Sequence, residues 1–186
     1  MAIDRAFLGT DQEGTRLAGT GSAITTTSKR HRHMIEGRHF QNAYLTRNMG
    51  AAIKLFEARA DIRKLLQFEA TTEVMTPSGP GIFTNKLAFI WIGDFQYELI
   101  QPVSGSMTLY LDQLPADDSL LFHHVCMRVD DWKDFRARVD RQPYPVAIEG
   151  GNDALRFLYL DAREFLGHYL EYVWMTPERW LQVGGR

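Results

Sequence analysis

The chain has 186 residues, 45% of them hydrophobic, which is typical of one or two globular domains and excludes a disordered polymer. Its 21 basic and 23 acidic residues give a net charge of −2 and are spread along the chain, which disfavours a nucleic-acid surface and favours a small-molecule partner. A single cysteine excludes an intrachain disulfide, and no membrane-length apolar run or signal-peptide core is found, so we expect a cytoplasmic protein without membrane contact.

Residues 1–38 are rich in Gly, Thr, Ser and Arg and lack a sustained apolar period, so they are predicted to form an N-terminal arm. The only basic run, Lys29 to His33, lies in this arm. We interpret it as a solvated tail and not as a metal or anion site, because no packed frame is expected to hold its side chains in a fixed geometry.

The folded domain is predicted over residues 39–176, with a first module at 39–106. The pattern predicts a strand at Phe40 to Leu45 and a helix with Asn48 as its N-cap, followed by a second helical stretch through Leu65 and Leu66. Three more strands are predicted at 71–75, 87–92 and 95–100, with a turn at Gly93-Asp94 between the last two.

A second module at 120–176 repeats this plan after a linker, and residues 177–186 are predicted as a helical tail. His124 follows Gln41 by 83 positions (124 minus 41), and Asp131, the second predicted N-cap, follows Asn48 by the same 83. Strands are predicted at 122–129, 146–149, 155–160 and 168–174. The equal spacing of the strand residues and of the helix N-caps indicates a duplicated βαβββ module in an α+β fold.

Side-chain alternation predicts which residues share an interior if the first and last strands of both modules line one cavity. By this alternation, the side chain of His123 is predicted to point away from that of His124 and out of the cavity. The single thiol, Cys126, is predicted to be buried and inert. The side chains predicted to face inward are Gln41, Ala43, Gln96, Glu98, Ile100, Phe122, His124, Cys126, Arg128, Tyr169, Glu171 and Val173.

Four of these inward residues carry metal-ligand chemistry: Gln41, Glu98, His124 and Glu171. Taken singly, each has a structural explanation, such as an ion pair, a cross-strand hydrogen bond or a satisfied core histidine. Together, at matched places in two modules, they favour a divalent cation that neutralises two carboxylates in apolar surroundings. The mixed oxygen and nitrogen set suits octahedral Zn²⁺, Ni²⁺, Co²⁺, Mn²⁺ or Fe²⁺ with positions left for water or substrate.

Several motifs resemble the vicinal oxygen chelate superfamily, which includes glyoxalase I, methylmalonyl-CoA epimerase, extradiol dioxygenases and bleomycin-resistance proteins. They are Phe40-Gln41-Asn42-Ala43-Tyr44-Leu45, the run from Tyr97-Glu98-Leu99-Ile100 through Gln101-Pro102-Val103-Ser104-Gly105, His123-His124-Val125, and Tyr169-Leu170-Glu171-Tyr172-Val173. The resemblance covers about Phe40 to Trp174, and the run after Tyr97 is especially similar to the epimerase-like branch.

This resemblance implies two βαβββ modules in a half-open mixed β-barrel, with an N-terminal extension and metal ligands at Gln41, Glu98, His124 and Glu171. The ligand order is similar to that of animal glyoxalase I. It departs from the epimerase pattern, which usually has His at position 41, and from the extradiol dioxygenases, which use two His and one Glu. A homodimer is also expected from the family.

The implied function is a metal-dependent isomerase or lyase that abstracts a proton next to a metal-bound carbonyl through an enediolate or enolate. Glu171 is the candidate base, and Glu98 is the carboxylate that returns the proton. The expected partner is a small-molecule carbonyl or carboxylate substrate. Substrate contacts are predicted at Arg128, Tyr169, Phe122 and Trp91, with Phe83 as a further wall residue.

Two other functions fit the same fold. One is a small-molecule binding or resistance protein that performs no chemistry, and the weaker one is an iron-dependent dioxygenase. Arg128 has an equally plausible role as a surface ion-pair partner, and aromatic residues in strands are more often simply core.

Overall fold

The structure is a computed structural model that describes residues 36–105 and 108–186. Most of the predicted arm, including the basic run Lys29 to His33, lies outside the described residues. The first strand begins at Arg38, next to the predicted start of the domain. None of the helices in the described ranges has the length and apolar content needed to cross a bilayer.

The described ranges contain two successive sets of four strands, each with a helix after its first strand. The first set is β1 (Arg38–Leu45), α1 (Met49–Glu57), β2 (Lys64–Thr76), β3 (Gly79–Ile92) and β4 (Phe95–Ser104). A short helix, α2 (Thr108–Leu111), precedes the second set, which is β5 (Leu121–Arg128), α3 (Trp132–Val139), β6 (Val146–Gly151), β7 (Leu155–Asp161), α4 (Arg163–Leu166) and β8 (Tyr169–Met175). The last helix is α5 (Pro177–Gln182). This order confirms the predicted pair of βαβββ modules.

All eight strands form one mixed barrel in the order β1-β4-β3-β2-β6-β7-β8-β5. Within each module the first and last strands are parallel, and the two modules meet through the antiparallel pair β1 and β5. On the opposite side, β2 and β6 are joined by just two residue pairs, Val74 with Gly150 and Met75 with Glu149. These two pairs close the barrel, and the rest of β2 has no strand partner on that side among the described residues.

The predicted helical stretch through Leu65 and Leu66 is wrong, because these residues belong to β2. This strand pairs with β3 along its whole length, from Lys64 opposite Trp91 to Thr76 opposite Gly79. From position 66 to 71, exposed and partly buried side chains alternate with a period of two, as in a strand with one covered face. The long cross-strand ladder therefore overrides the local helical preference of the leucine pair.

Both module helices begin at the predicted caps. The Asn48 side chain accepts a hydrogen bond from the backbone N–H of Ala51 at 3.0 Å, and the Asp131 side chain accepts one from Asp134 at 2.9 Å. A side-chain oxygen at this position satisfies an otherwise unpaired N–H and typically contributes about 1 kcal/mol to stability. The two residues spaced 83 positions apart, Asn48 and Asp131, are thus the N-caps of equivalent helices in the two modules.

Alternation along the strands separates an inner from an outer set of side chains. Ala43 and Cys126 belong to the cluster inside the barrel. Leu99 lies on the outer side of β4 in the cluster that contains α1, and Tyr172 lies on the outer side of β8 against Phe135 of α3. The predicted inward orientation of Ala43 and Cys126 is therefore confirmed, and the inner face is left to form the site.

The C-terminal helix α5 packs against the barrel through aromatic side chains. The ring of Trp180 lies 5.0 Å from that of Phe40 and 5.7 Å from that of Trp91, centre to centre. The indole N–H of Trp91 donates a hydrogen bond of 2.7 Å to the carbonyl of Val183. These contacts hold the residues after α5 close to the inner cluster.

Gly184 permits this close approach, and we expect the variant Gly184→Ala to lose about 2–4 kcal/mol of unfolding free energy. Its φ of 99° disfavours a side chain, and a Cβ would lie 2.5 Å from Nε1 of Trp91. Equilibrium urea unfolding followed by tryptophan fluorescence measures the loss. The matched control is Gly167→Ala, which has a φ of 78° but no atom within 4 Å of its Cβ. Equal losses in the two variants would show that the contact with Trp91 contributes nothing.

Candidate metal centre

Three ionisable side chains from different strands meet inside the barrel: Glu98 on β4, His124 on β5 and Glu171 on β8. One ligand atom from each of them lies within 4.8 Å of the other two. The Nε2 atom of His124 is 2.9 Å from a carboxylate oxygen of Glu171 and 3.5 Å from one of Glu98. The structure thus brings together three of the four residues predicted as metal ligands.

The strand register explains this meeting. Ala43 on β1 is paired with Glu98 of β4 on one side and with His124 of β5 on the other. Glu171 of β8 is paired with Cys126, which follows His124 by one full period of the strand. Paired residues in neighbouring strands point to the same face of a sheet, so all three side chains enter the same interior.

Gln41, the fourth predicted ligand, lies two residues before Ala43 and lines the same cavity. Its side-chain N–H donates a hydrogen bond to the amide oxygen of Gln96, and both residues are buried. The amide oxygen of Gln41 is buried without a hydrogen-bond partner, and the buried Nε2 atom of His124 faces both carboxylates. An unsatisfied buried acceptor costs about 1–3 kcal/mol, so these two atoms and the two carboxylates form a donor set that fits a divalent cation.

Burial and ion pairing act against each other on the charges of this cluster. For His124, burial opposes the imidazolium, but the carboxylates of Glu171 and Glu98 outweigh it and raise the pKa to about 9. Burial raises the pKa of Glu98, an effect that His124 partly offsets. At neutral pH the metal-free cluster therefore holds a proton on His124, which a cation must displace.

We expect Zn²⁺ binding at pH 7 to release about one proton per bound ion. With a pKa of about 9, His124 is almost fully protonated at this pH, and the release declines as the pH rises through that value. An imidazole with its ordinary pKa of about 6.5 would release only about a quarter of a proton. Calorimetry in buffers of different ionisation enthalpy gives the number. A release below about half a proton would contradict the assigned charge state.

Two members of the cluster, Glu98 and Glu171, line a cavity of about 580 Å³ inside the barrel. Phe68, Phe83 and Phe89 supply aromatic surface to this cavity. Arg179, from α5, is the only positively charged residue among the described residues that line it. The cavity therefore combines three acidic side chains (Glu73, Glu98 and Glu171), an apolar wall and one cation contributed by the C-terminal helix.

Asn85, Gln96 and Arg179 contact the cavity but have no predicted role in binding. The amide oxygen of Asn85 and the amide N–H₂ of Gln96 are buried without a partner, so each offers a hydrogen bond to a bound molecule. The parity of β4 already placed Gln96 inside. The sequence around Arg179 does not predict its contact with the cavity, because the path of a C-terminal helix over the barrel depends on tertiary packing.

His123 differs from its predicted orientation. Strict alternation places it on the outer face of β5, yet its side chain is fully buried. Its ring lies 5.2 Å from that of Tyr110, 6.1 Å from that of Tyr159 and 5.0 Å from that of Tyr169, all members of the inner cluster. The prediction that His123 faces away from the interior is therefore wrong.

A β-bulge in β5 explains this difference. Ala43 of β1 pairs with His124, but the next residue of β1, Tyr44, pairs with Phe122. His123 is the extra residue on β5 that has no partner on β1. An extra residue breaks the alternation and re-aims the neighbouring side chains, so both histidines are buried on the inner side.

Sequence comparison assigns the family of this chain. Residues 40–159 match the Glyoxalase/Bleomycin resistance protein/Dioxygenase superfamily. The chain belongs to this superfamily. A search of curated proteins gives no match.

Solved structures of the superfamily fold resemble this barrel at low sequence identity. The methylmalonyl-CoA epimerase of Mycobacterium tuberculosis is 14% identical with a TM-score of 0.55, over 76% of this chain and 90% of that one. A variant of the Streptomyces coelicolor methylmalonyl-CoA epimerase in complex with 2-nitronate-propionyl-CoA is 13% identical with a TM-score of 0.55, over 76% and 96%. A hypothetical protein from Bacillus halodurans C-125 is 16% identical with a TM-score of 0.54, over 75% and 94%. These similarities establish the fold.

Two of the residues predicted to contact substrate, Arg128 and Trp91, are covered by the C-terminal residues and do not line the cavity. The guanidinium of Arg128 lies over the ring of Trp180, 4.3 Å from its centre. Trp91 is 1% exposed and hydrogen-bonded to Val183. Both side chains therefore hold the tail in place in this superfamily member.

The other two suggested contacts also lie away from the cavity lining. Phe122 is 37% exposed near the start of β5, where the bulge displaces it from the inner face. Tyr169 is buried against His123. Phe83, the further predicted wall residue, does line the cavity.

Cys126 lies beside the candidate ligands, paired with Gln41 on one side and Glu171 on the other. Burial, followed by the negative charge of Glu171, raises the pKa of its thiol well above the usual value. A protonated thiol is a poor nucleophile and a poor metal ligand. This environment is consistent with the inert role predicted for Cys126.

Proposed function

We propose that this chain is a divalent-metal-dependent isomerase or lyase that removes a proton from a carbon next to a carbonyl group. The observation that carries the proposal is the group of Glu98, His124 and Glu171, with ligand atoms within 4.8 Å of one another beside a cavity of about 580 Å³. The unpaired amide oxygen of Gln41 completes the donor set. When bound by these four residues, a divalent cation would act as a Lewis acid on the substrate carbonyl and stabilise negative charge on its oxygen.

Glu171 is the proposed base. Its side chain is 13% exposed and lines the cavity, where it can reach a bound substrate, and one of its carboxylate oxygens lies 2.9 Å from Nε2 of His124. It takes the proton from the carbon, and the electron pair of the broken C–H bond passes into the enolate or enediolate of the substrate. Proton transfer by a positioned carboxylate typically contributes about 10²- to 10⁴-fold in rate.

Glu98 is the proposed source of the returned proton. It is more deeply buried than Glu171, and the pKa of its carboxyl group is raised chiefly by that burial. Donation from Glu98 to the opposite face of the carbon inverts its configuration, whereas return from Glu171 to the neighbouring carbon isomerises the substrate. Return from Glu171 restores the starting protonation state directly, whereas donation from Glu98 requires that Glu171 then lose its proton to solvent and Glu98 regain one from solvent.

The cavity surface supports a small organic substrate with both apolar and polar parts. Phe68 and Phe89 offer apolar contact, whereas Asn85 and Gln96 offer unpaired amide groups and Arg179 offers a positive charge. Arg179 suits a carboxylate or phosphate on the substrate. A carbonyl compound that carries such a group is the proposed partner, and a cytoplasmic homodimer stays a prediction.

The proposal is tested by NMR of carbon-bound hydrogen exchange in D₂O, with the protein loaded with Zn²⁺, Ni²⁺ or Co²⁺. The probes are methylmalonyl-CoA, as an acyl thioester with an acidic C–H, and the hemithioacetal of methylglyoxal with glutathione. Exchange catalysed with either probe supports the proposal. Stoichiometric metal binding with ligand retention and no exchange would favour the non-catalytic binding protein instead, and failure to bind any divalent cation would refute the metal-dependent function.

A further inference from the structure

We propose that His123 is a positioning residue that holds the imidazole of His124 with its Nε2 lone pair directed at the metal site. This inference rests on the metal centre of the proposed function but not on the reaction. It concerns which atom of His124 the surrounding chain makes available.

The two histidines are linked directly. Nδ1 of His123 and Nδ1 of His124 are 2.9 Å apart, and Nε2 of His123 is 3.0 Å from the backbone carbonyl oxygen of Leu109. All the ring atoms are buried, since both side chains have 0% exposure. Water therefore cannot substitute for either contact.

The carbonyl of Leu109 determines which atom is the donor in each of these two hydrogen bonds. A carbonyl oxygen only accepts, so Nε2 of His123 must be the N–H that donates to it. A neutral imidazole carries a hydrogen on one nitrogen only, which leaves Nδ1 of His123 as an acceptor. Nδ1 of His124 must then donate to it.

The hydrogen on Nδ1 determines the state of Nε2, on the opposite side of the His124 ring. With its hydrogen on Nδ1, a neutral His124 has its lone pair on Nε2, the atom that is 2.9 Å from Glu171 and 3.5 Å from Glu98. A metal-binding histidine needs its second nitrogen held by an acceptor, which is usually a carboxylate, carbonyl or water. Here another histidine fills that place.

The surroundings of His123 favour a neutral ring. It is packed against Tyr110, Tyr159 and Tyr169, and its other neighbour is the second imidazole. A second positive charge is costly in such an apolar and enclosed position. The bulge in β5 is what brings His123 there, so it has a specific consequence for the metal site.

The anchor lies outside both modules. Leu109 belongs to α2, in the segment that connects them, and it is buried in the inner cluster. Tyr110, the next residue, packs on the His123 ring. The connecting segment therefore takes part in orienting a candidate ligand from the second module.

Two variants separate positioning from simple packing. His123→Asn keeps an acceptor near the position of Nδ1 but loses ring volume, whereas His123→Phe keeps the volume but has no acceptor. We expect the Zn²⁺ dissociation constant, measured by competition with a chromophoric chelator, to rise about 10- to 100-fold in His123→Phe and to change much less in His123→Asn. If the ring only fills space, the order is reversed, and the inference is overturned. The exposed His39→Asn serves as the control variant and is expected to bind like the unaltered protein.

A second measurement uses the unaltered protein and needs no variant to fold. Long-range ¹H–¹⁵N NMR of the Zn²⁺-loaded chain reports which ring nitrogens carry hydrogen. We expect His123 to carry its hydrogen on Nε2 only, and hydrogen on Nδ1 of His123 would overturn the inference. A protein that binds none of Zn²⁺, Ni²⁺ and Co²⁺ would refute the proposed function, whereas normal Zn²⁺ affinity in His123→Phe would refute only the role of His123.

Discussion

The variant Glu171→Gln is expected to catalyse hydrogen exchange about 10²- to 10⁴-fold more slowly than the unaltered protein. Glutamine keeps the size and an oxygen donor but has no basic carboxylate, so a proton on the substrate carbon has no acceptor at this position. The change also removes one of the two carboxylates beside His124. The measurement is the NMR exchange rate at saturating metal and a fixed substrate concentration.

A matched control distinguishes this effect from a general loss of acidic charge. Glu69 lies on β2, is exposed and does not line the cavity, so Glu69→Gln should exchange at the original rate. The metal content of Glu171→Gln, measured by mass spectrometry, tells whether the loss comes from the base or from the cation. Full metal content with exchange within tenfold of the unaltered rate would exclude Glu171 as the base.

Removal of divalent metal is expected to reduce catalysed exchange to the rate of buffer alone. Adding a cation back should also stabilise the fold, because it binds the native state in preference to the unfolded chain. At 100 times the dissociation constant this linkage contributes about 2.7 kcal/mol. For a chain of this size, each kcal/mol corresponds to about 2–4 °C, so the melting temperature should rise by about 5–11 °C.

The variant His124→Gln tests whether this stabilisation arises at the proposed centre. It removes the only imidazole that lies between the two carboxylates among the described residues. Calorimetric melting with and without Zn²⁺ or Ni²⁺ should show the full rise in the unaltered protein and little in the variant. An identical rise in both proteins would place the bound cation elsewhere, and exchange that survives complete metal removal would contradict the proposed chemistry.

The features that could be predicted from sequence are those that depend on local or periodic patterns. Asn48 and Asp131 mark helix starts because a side-chain cap is a local interaction. Alternation along β4 and β8 brings Glu98 and Glu171 to the inner face, since side-chain direction in a regular strand follows from its period of two. Most of the fold and the core of the candidate site follow from these two rules.

Features that depend on distant partners could not be predicted in the same way. Leu65 and Leu66 form a strand because β3 pairs with them, and the leucine pair itself fits either structure. His123 is buried because β5 contains one residue more than β1 across the bulge, a mismatch between two strands that neither sequence reveals alone. Arg179 reaches the cavity only because α5 packs back on the barrel through Trp180.

The donor set is divided equally between the duplicated halves of the barrel. Gln41 and Glu98 come from the first module, and His124 and Glu171 come from the second. On the side of the candidate site, the two halves are joined by the pairing of strands β1 and β5. On the opposite side, the pairing of β2 with β6 is two residue pairs long. A cation held by all four residues would therefore act as a crosslink between two halves of one chain, so that tight metal binding and the correct assembly of the halves depend on each other.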